Sequence, residues 1–490
     1  MKVMFLINFL SIEGEPMGVM QLSSIAKSRG WETSLCLASD DYLRRIDQTQ
    51  PDLLAVSMMT TDYRTLMPAI RQIRKRFRDL PIIVGGAHPT FSRDLIENEE
   101  ITAICVGEGD TALIGTMERI AAGKPLDGIP NLCTKQTQAV LSPLIEDLDQ
   151  LPFLDREILY DNSSAARHFR LRSFYASRGC PYGCTYCFNH AYNRMYRGLG
   201  KIVRRRSVGN VLAEIDETAR RYPTDYVRFS DDAFVHRVDE WLEELARDYP
   251  KQLGIPFYCL VRANCVTPDM VRLLKEAGCR SVCMSIESAS ARIREEVLNR
   301  KMTTEQIVRA FDLFNHAGIK IYTNSMFGLP SSNLQDEIDT LDLNIRCRPA
   351  YSNFTICVPF PGTEMFDYCK THGFLPTELS AEEMVMSVGE ESMLSGFSSG
   401  EKRVQKNLAM LGPLVVKFPW LKKLVTGYLV RFPPNKLYGA VHFILKNYLF
   451  KKHIVPIRFT LKDYFVLGYA QLRAEIRLLF GGGNKDGLNR

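Results

Sequence analysis

Residues 171–375 alternate a strand pattern with a helix pattern six times. Each strand candidate is a short apolar run, and each helix candidate is a longer amphipathic stretch. Thr267-Pro268 and the Thr303/Gln306 capping box mark helix starts, while Gly278 and Gly318 stand where helices end. The pattern predicts a partial (β/α)6 barrel with its chemistry at the carboxyl ends of the strands. The strand candidates are 172–176, 226–230, 256–262, 281–286, 320–326 and 352–358, and the helix candidates are 208–222, 238–249, 268–276, 304–316 and 334–346.

A second alternation occupies residues 1–125 and predicts an α/β domain with a doubly wound, Rossmann-like parallel sheet. Its apolar runs are too short for helices and are separated by amphipathic stretches, as in sheets covered on both faces. Residues 126–170, broken by proline and acidic residues, are predicted to be a linker. Residues 376–490 lose the β/α pattern and are predicted to be a mostly helical, basic segment. The strand candidates of the first domain are 3–9, 33–38, 53–58, 81–85 and 101–106.

Composition and charge indicate the compartment in which the protein works and where its basic residues lie. The 490 residues contain 13 cysteines, three of them in one short loop, which favours a reducing cytoplasm over a disulfide framework. No run reaches the roughly 18 apolar residues of a membrane span. The charge is segregated, because residues 401–490 hold 17 Lys and Arg against 4 Asp and Glu, a net of +13. Since the whole chain carries +6, residues 1–400 carry −7.

The three clustered cysteines follow the first barrel strand, in the glycine- and proline-rich loop 177–189. Cys180, Cys184 and Cys187 are separated by three and then two residues. Three thiolates on so short a loop can bind three irons of a cubane and leave the fourth iron open to a ligand. A zinc ion would call for a fourth protein ligand, and an electron-transfer cluster for a fourth cysteine, but the next cysteine downstream is Cys259.

The cysteine spacing, the aromatic Tyr186 before the last cysteine and the sixfold β/α pattern resemble the radical S-adenosylmethionine (SAM) superfamily. The resemblance implies a 4Fe-4S cluster held by Cys180, Cys184 and Cys187, with SAM chelating the open iron. It further implies reductive cleavage of SAM to methionine and a 5'-deoxyadenosyl radical. An external electron donor such as a flavodoxin or ferredoxin would supply the electron. Tyr186 would contact the adenine.

The strand ends that follow the cysteine loop match this family in order. Residues 229–234 stand where the family has a glycine-rich segment that binds the methionine amine, so polar side chains must serve here. Arg262 suits the methionine carboxylate. Residues 285–288 resemble the family's Gly-Ile-Glu-Ser segment. The resemblance implies that SAM is contacted by Tyr186, Ser230, Asp231, Asp232, Arg262, Ser285, Glu287, Asn324, Gly328 and Pro359.

The first domain resembles the cobalamin-binding domain found ahead of some radical enzymes. Three segments carry this resemblance: 16–18, 85–90 and 107–110. The chain lacks a G-x-G-x-x-G dinucleotide fingerprint and the Asp-x-His-x-x-Gly segment that supplies an axial histidine. We therefore expect a lower corrin face without histidine ligation. The residues predicted near cobalamin are Pro16, Gly18, Ser57, Thr60, Gly85, Gly86, His88, Glu108 and Gly109.

Other candidate ligands have a simpler interpretation. Four further cysteines lie on or beside barrel elements and are expected to pack in the core, where cysteine behaves as a small apolar residue. His190 and His236 are expected to be supporting or surface groups. The four cysteines are Cys259, Cys265, Cys279 and Cys283.

The basic tail has two interpretations of equal weight. Aromatic residues among lysines and arginines in 401–490 suit the surface of an anionic membrane, which would place the protein at its inner face. The alternative is a helical cap on the barrel. Nucleic acid is not expected, because no binding motif accompanies the charge.

The sequence predicts an enzyme that methylates an unactivated carbon of a small, hydrophobic or lipid-like molecule. Reduced cobalamin would take a methyl group from one SAM molecule, and a second SAM molecule would supply the radical. An alternative is the same radical start followed by cyclisation, oxidation or rearrangement. A third hypothesis is a non-catalytic cobalamin or redox sensor.

Overall fold

The amino-terminal region folds into a six-stranded sheet with an apolar core on each face, which confirms the predicted α/β class. The computed structural model describes residues 1–8, 14–375, 391–457 and 463, so Phe9 of the first predicted strand lies outside the described residues. The elements are β1 (Lys2–Ile7), α1 (Met17–Ser28), β2 (Glu32–Leu37), α2 (Tyr42–Thr49), β3 (Leu53–Ser57), α3 (Tyr63–Arg76), β4 (Ile82–Gly85), α4 (Ala87–Phe91), β5 (Ala103–Cys105), α5 (Asp110–Ala121) and β6 (Leu132–Cys133).

Alternate residues of β1 fill the two cores. Val3 and Phe5 pack in the cluster that includes α1 and α5, whereas Met4 and Leu6 pack in the cluster that includes α3. The strand order is β2-β1-β3-β4-β5-β6, with every pairing parallel except the last. In this order β1 and β3 are neighbours at the point where the chain reverses direction across the sheet, and open parallel sheets bind ligands beside such a point.

The first sheet extends into the segment predicted to be a linker. β6 pairs antiparallel with β5, and Cys105 lies opposite Leu132. A two-residue strand is too short to produce a periodic signal, which is why the sequence pattern does not reveal it.

The rest of the predicted linker joins the two domains through polar contacts and two short helices, α6 (Glu157–Tyr160) and α7 (Ser164–His168). Buried Arg156 donates to Glu15 at 2.9 Å and to the carbonyl of Ser173, the third residue of the first barrel strand, at 2.8 Å. Glu15 also accepts from the backbone N–H of Ser173 at 2.6 Å. These contacts fix the first barrel strand against the segment that precedes α1.

The second region is the predicted partial barrel, with six parallel strands in the order β14-β13-β12-β11-β10-β7. A separate two-stranded ribbon, β8 with β9, follows the first strand. The elements are β7 (Leu171–Phe174), β8 (Ser177–Arg178), α8 (Phe188–Met195), β9 (Arg204–Arg205), α9 (Val208–Arg221), β10 (Tyr226–Phe229), α10 (Glu240–Gln252), β11 (Phe257–Leu260), α11 (Pro268–Glu276), β12 (Cys279–Cys283), α12 (Thr304–Ala317), β13 (Lys320–Phe327), α13 (Leu334–Cys347), β14 (Tyr351–Ile356) and α14 (Glu364–Thr371).

The predicted helix signals are observed. Thr267 caps α11 with Pro268 at its first position, and Thr303 forms a reciprocal capping box with Gln306 at the start of α12. Gly318 ends α12 in the left-handed region at φ 78°. Such caps satisfy backbone groups that a helix leaves unpaired, so these boundaries follow from local chemistry.

The predicted tail is helical where it is described and packs on the barrel. Its helices are α15 (Ser399–Lys417), α16 (Lys422–Gly427) and α17 (Lys436–Leu449), followed by a π-helical turn, Phe450–Ile454. Ile454 packs with Leu171, Tyr226 and Tyr351, each the first residue of a barrel strand, and its carbonyl accepts from Ser281 Oγ at 2.6 Å. The turn therefore closes the amino-terminal end of the barrel. The tail residues 376–390, 458–462 and 464–490 lie outside the described residues.

α15 covers β14, the edge strand of the barrel. At Gly412 an added Cβ would lie 2.8 Å from the ring of Phe354, so only glycine permits this approach. The contact confirms that the tail caps the barrel. Among the described helices, none has the length and hydropathy needed to cross a bilayer.

The buried carboxyl group of Glu337 links α13 to α15 and to the end of β13. Glu337 Oε1 accepts from the N–H of Gly328 at 2.8 Å and from Gln405 Nε2 at 2.9 Å. Burial raises the pKa of Glu337 to about 8. Because this pKa lies above that of an exposed glutamate, its contribution to stability is fully present below pH about 4.5 and is lost as pH rises through about 8.

We predict that Glu337→Gln removes a pH-dependent part of the stability. The free energy of unfolding of the wild type should fall by about 2 kcal/mol more than that of E337Q between pH 6 and 9. Denaturant unfolding at several pH values measures this difference. The exposed Glu296→Gln is the matched control, and parallel pH profiles for the wild type and E337Q would contradict the assignment.

Candidate active site

The cysteine loop lies at the carboxyl end of β7, between β8 and α8. Gly179 has φ 90°, and an added Cβ would lie 2.1 Å from the carbonyl oxygen of Ile202. Glycine is therefore required immediately before Cys180. Asn299 Nδ2 donates to the carbonyl of Gly183 at 2.7 Å, which fixes the middle of the loop.

The three cysteine side chains have different surroundings. Cys184 is buried, whereas Cys180 and Cys187 are half-buried. The backbone N–H groups of Tyr182 and of Asn189, in the first turn of α8, lower the pKa values of Cys180 and Cys187 respectively and partly offset the effect of burial. Such N–H groups stabilise a thiolate that is ligated to iron.

The protonation of the thiols agrees with a site that is completed by a metal. Burial raises the pKa of Cys180 to about 11 and that of Cys187 to about 12, so both carry protons until a cation displaces them. In the described part of the chain, no three His, Cys, Asp or Glu side chains are close enough together to hold a metal ion. A cubane provides a separate iron for each thiolate, so its ligands stand further apart than those of a single ion.

Arg262 lies directly beside the cluster loop. Its Nη1 donates to Cys184 Sγ at 3.0 Å, and its Nε donates to Asn264 Oδ1 at 3.0 Å. The guanidinium also lies 4.1 Å from the ring centre of Tyr182. A fixed positive charge is thus placed next to the cysteines, where the sequence predicts the carboxylate of SAM.

Asp231 anchors the start of the loop. Its buried carboxylate accepts from the backbone N–H of Ala176, at 3.1 Å to each oxygen, and from Ser177 Oγ. Burial raises the pKa of Asp231 to about 6. This favours a structural role for Asp231 over the contact with SAM that the sequence predicts. Its neighbours Ser230 and Asp232 line the cavity described below.

Tyr186 and Glu287, which are both predicted to contact SAM, are hydrogen bonded to each other, and a third residue joins them. Tyr186 Oη donates to Glu287 Oε1 at 3.0 Å, while Arg300 Nη1 donates to Tyr186 Oη at 2.8 Å. Arg300 Nη2 also holds the carbonyl of Ser285 at 2.7 Å. Glu287 has φ 64°, a conformation that is strained for a residue with a side chain. This strand end is therefore held in place by a buried network.

The remaining residues predicted near SAM are found at the later strand ends. Asn324 points into the barrel, accepts from Asn353 at 3.1 Å and donates to Cys283 Sγ at 3.5 Å. Gly328 has φ 66° and donates to Glu337. Pro359 is buried after β14. Their contacts with SAM remain predictions.

One cavity of about 460 Å³ lies between the two sheets and is lined by both. From the first domain it receives the ends of β3, β4 and β5 and the start of α1. From the second domain it receives the start of the cysteine loop, α8 and the end of β10. The lining residues that the sequence predicts are Gly18, Ser57, Gly85, Gly86, Glu108, Gly109, Ser230, Asp231 and Asp232.

Three residues predicted near cobalamin lie outside the set of described residues that line the cavity. Pro16 precedes α1, and Thr60 lies in a short helical turn after β3. His88 is buried, with Nδ1 3.3 Å from Thr60 Oγ1 and its ring against Tyr63. Burial lowers the pKa of His88. The contacts of Pro16, Thr60 and His88 with cobalamin remain predictions.

Two ion pairs connect the first domain to the β8–β9 ribbon. Arg178 donates to both carboxylate oxygens of Asp110, at 3.1 and 3.0 Å. Arg204 donates to both oxygens of Glu108, at 3.0 and 2.7 Å. Bidentate arginine–carboxylate pairs fix orientation as well as distance. Arg178 is followed by Gly179 and Cys180, so the pairs set the position of the cysteine loop relative to the first sheet.

Comparison with known proteins agrees with this two-part site. The model of the Radical SAM superfamily matches residues 174–343, and that of the B12 binding domain matches residues 7–115. The chain belongs to the cobalamin-dependent radical SAM family. The 4Fe-4S cluster, SAM and cobalamin are the cofactors of this family.

Individual relatives cover most of the chain. An uncharacterised methyltransferase of Pyrococcus horikoshii is 25% identical over 74% of this chain and 80% of its own length. The anaerobic magnesium-protoporphyrin IX monomethyl ester cyclase of Rubrivivax gelatinosus is 24% identical over 67% and 60%. The hopanoid C-3 methylase of Methylococcus capsulatus is 22% identical over 75% and 74%.

A solved structure supports the same fold. The radical SAM methyltransferase TsrM of Kitasatospora setae superimposes with a TM-score of 0.67 at 16% identity, over 98% of this chain and 99% of that one. At this identity the likeness is one of fold alone.

The residues present fit the family's cofactors. At Gly18 an added Cβ would meet no atom within 4 Å, so the backbone there faces open space in the cavity. Gly85 and Gly109 also line the cavity without side chains, which lets a flat macrocycle approach the strand ends. The three cysteines, with Arg262 beside them, lie at the loop that borders the same cavity.

Several functional residues are not predicted by the sequence. Arg204 and Arg300 are arginines in segments without a motif, Arg178 lies in the cysteine loop but is not one of its ligands, and the acidic partners of all three lie on other elements. Tyr192 and Asn189 of α8 also line the cavity. The only sequence signal for the last two is their position immediately after the cysteine motif.

We predict that Cys184→Ala abolishes assembly of the cluster. The variant should bind almost no iron after anaerobic reconstitution, measured by iron content and by the cluster's visible absorption. Cys265→Ala is the matched control, because Cys265 lies beside Tyr182 but outside the motif. Iron retained by C184A, or lost equally by C265A, would contradict the ligand set.

We predict that Asp110→Asn weakens the connection between the two domains. Removing the bidentate partner leaves Arg178 with only the more distant carboxylate of Glu108, at 3.6 Å, and the free energy of unfolding should fall by about 3 kcal/mol. Denaturant titration measures this loss. Asp161→Asn, in an exposed pair with Arg167, should change it by less than about 1 kcal/mol. Equal effects of the two substitutions would show that the buried pair has no special role.

Proposed function

We propose that this protein transfers a methyl group to an unactivated carbon of a hydrophobic, lipid-like molecule. The observation that carries the proposal is the cavity lined by strand ends of the first sheet and by the barrel segments that follow β7 and β10. A radical generated at the barrel and a methyl group carried in the first domain would both be delivered into this one space. The relatives in Pyrococcus horikoshii and Methylococcus capsulatus, named as a methyltransferase and a methylase, support methyl transfer.

The residues of the chain bind and orient the reagents. Cys180, Cys184 and Cys187 would hold three irons of the cluster. Arg262 would bind the carboxylate of SAM, and Tyr186 would support its adenine. When bound, the cofactors supply a one-electron cleavage of SAM, a radical that removes a substrate hydrogen, and a methyl group.

The part of the cavity formed by the first domain is largely apolar. Leu113 is buried there and Leu22 is partly buried. Excluding water protects a radical from side reactions. The electron comes from an external one-electron donor.

The proposed substrate class depends on two observations. The hopanoid C-3 methylase is similar to this chain over three quarters of its length, 74%. The tail also exposes nine large apolar side chains between residues 418 and 448. Peripheral contact with a membrane through residues 401–490 is part of the proposal.

Cyclisation is the second candidate function. The Rubrivivax gelatinosus relative, named as a cyclase, is as similar in sequence as the methyltransferases are. A cyclase would use the same radical start but would deliver no methyl group. The products of SAM therefore distinguish the two candidates.

We predict that the reconstituted, reduced protein forms 5'-deoxyadenosine and S-adenosylhomocysteine in equal amounts with a hydrophobic substrate. Each methylation consumes two SAM molecules, one as methyl donor and one as radical source, and the second also yields methionine. Liquid chromatography with mass spectrometry measures both products. The Cys184→Ala protein is the background control.

Three outcomes decide between the candidates. Equal amounts of the two products support methylation. Deoxyadenosine without S-adenosylhomocysteine would favour cyclisation or another radical outcome. If neither forms while the cluster is fully loaded and a known radical SAM enzyme turns over under the same conditions, both proposals are wrong.

A further inference from the structure

Exposed apolar side chains are concentrated in the tail. Twelve large apolar residues are exposed in the described part of the chain, and nine of them lie between residues 418 and 448. Such a concentration marks an interaction surface, since scattered single residues are the norm elsewhere. The nine are Phe418, Trp420, Leu424, Tyr428, Phe432, Leu437, Phe443, Ile444 and Tyr448.

These residues form the outermost layer of the tail. α15 lies on the barrel with its Gly412 against Phe354. α15 also contacts the residues that follow it. Asn407 Nδ2 donates to the carbonyl of Val430 at 3.0 Å, and His442 Nδ1 lies 3.2 Å from the carbonyl of Met410. Residues 418–452, here called the outer layer, therefore pack on α15, and near their end Leu449 and Phe450 contact the barrel strands.

The exposed residues repeat with helical spacing. Trp420, Leu424 and Tyr428 are four residues apart along α16 and its flanking turns. On α17, Leu437, Ile444 and Tyr448 share one stripe, whereas Tyr438 and Leu449 are buried against the protein. Each helix thus has one face used for packing and one apolar face turned to solvent.

The charge of this region has a single sign. Between Glu401 and Asp463 the sequence contains no Asp or Glu. One carboxylate from the barrel approaches it, because Lys422 pairs with Asp342 of α13 at 2.6 Å. The exposed cations on and beside the outer layer are Lys417, Lys423, Arg431, Lys436, Lys446, Lys451 and Lys452.

We propose that the outer layer docks the protein on the surface of an anionic lipid bilayer. Aromatic and aliphatic side chains would enter the boundary between head groups and acyl chains, while the long lysines would reach the anionic head groups. A second copy of the chain would bring like charges together, and a nucleic acid would leave the aliphatic residues exposed to water. The combination of apolar stripes with cations fits a bilayer.

This inference deepens the proposed function and rests on it for its purpose, which is to bring the enzyme to a lipid-like substrate. The binding itself needs no turnover. Vesicle binding is therefore measured on the full chain without SAM or reductant, and its failure is distinguishable from failure of the methylation assay.

The test is sedimentation of the full chain with vesicles of phosphatidylglycerol and phosphatidylcholine in equal parts, against phosphatidylcholine alone. Trp420→Ser combined with Ile444→Ser should lower the partition coefficient by about tenfold or more. Lys423→Gln combined with Lys446→Gln should also lower it. The matched controls are Val140→Ser, an exposed apolar residue of the first domain, and Lys124→Gln with Lys135→Gln, which should bind as the wild type does.

Trp420 provides a second, direct signal. It is 78% exposed, whereas the other two tryptophans, Trp31 and Trp241, are half-buried. Brominated lipid should quench the fluorescence of the wild type on anionic vesicles. Trp420→Phe should keep the binding and lose most of the quenching. This readout distinguishes insertion from loose electrostatic contact.

Every outcome supports or overturns the proposal. Selective, salt-sensitive binding to anionic vesicles that is weakened by both double variants supports it. Binding equal to that of the controls, or no quenching, overturns it. A dimer of the wild type that dissociates in the W420S/I444S variant, without vesicle binding, would identify the surface as a self-interface instead. Tight binding of an oligonucleotide that displaces the vesicles would identify nucleic acid as the partner.

Discussion

The buried ion pairs of Arg178 with Asp110 and Arg204 with Glu108 hold the two halves of the site together. Both arginines belong to the small ribbon that carries the first cysteine, and both carboxylates belong to the strand end and helix start that line the cavity. Taking such charges out of water offsets much of their mutual attraction, so their effect on net stability is modest. Their geometry is what matters, because two bidentate pairs on adjacent strands allow one orientation of the ribbon. The distance between the cluster loop and the first sheet is set there.

Some polar residues at the strand ends near the ligand space also have hydrogen-bond partners within the protein. The carboxylate of Asp231 is occupied by backbone and hydroxyl donors of the cysteine loop. Glu287 is occupied by Tyr186 and Arg300. A radical enzyme needs its open iron and its substrate carbon at fixed positions, and catalysis by positioning loses rate steeply with small displacements. Buried networks behind the ligand-facing residues provide that rigidity.

The sequence predicts the two sheets well, because their strands and helices carry strong periodic and capping signals. It does not predict β6, β8 or β9, each two residues long, since so short a strand has no period. The cysteine motif is local and is therefore recognised. The ion pairs of Arg178 with Asp110 and of Arg204 with Glu108 are not predicted, because the two partners of each pair are 68 and 96 residues apart in the sequence. Pairing over such distances depends on the tertiary fold, and single arginines in a chain with 24% charged residues carry no signal of it.

In the tail, the residues that stabilise the fold are different from those that are proposed to contact a membrane. Its inward-facing residues perform two tasks for the barrel: α15 covers the edge strand β14, which would otherwise present unpaired backbone groups, and Ile454 closes the amino-terminal end. Both tasks are completed by buried side chains such as Leu408, Val415 and Leu449. The fold would be satisfied if the opposite faces of α16 and α17 were polar. Exposed tryptophan and tyrosine there cost solubility and contribute nothing to the core, so their presence beside exposed lysines supports the proposed contact with a lipid bilayer.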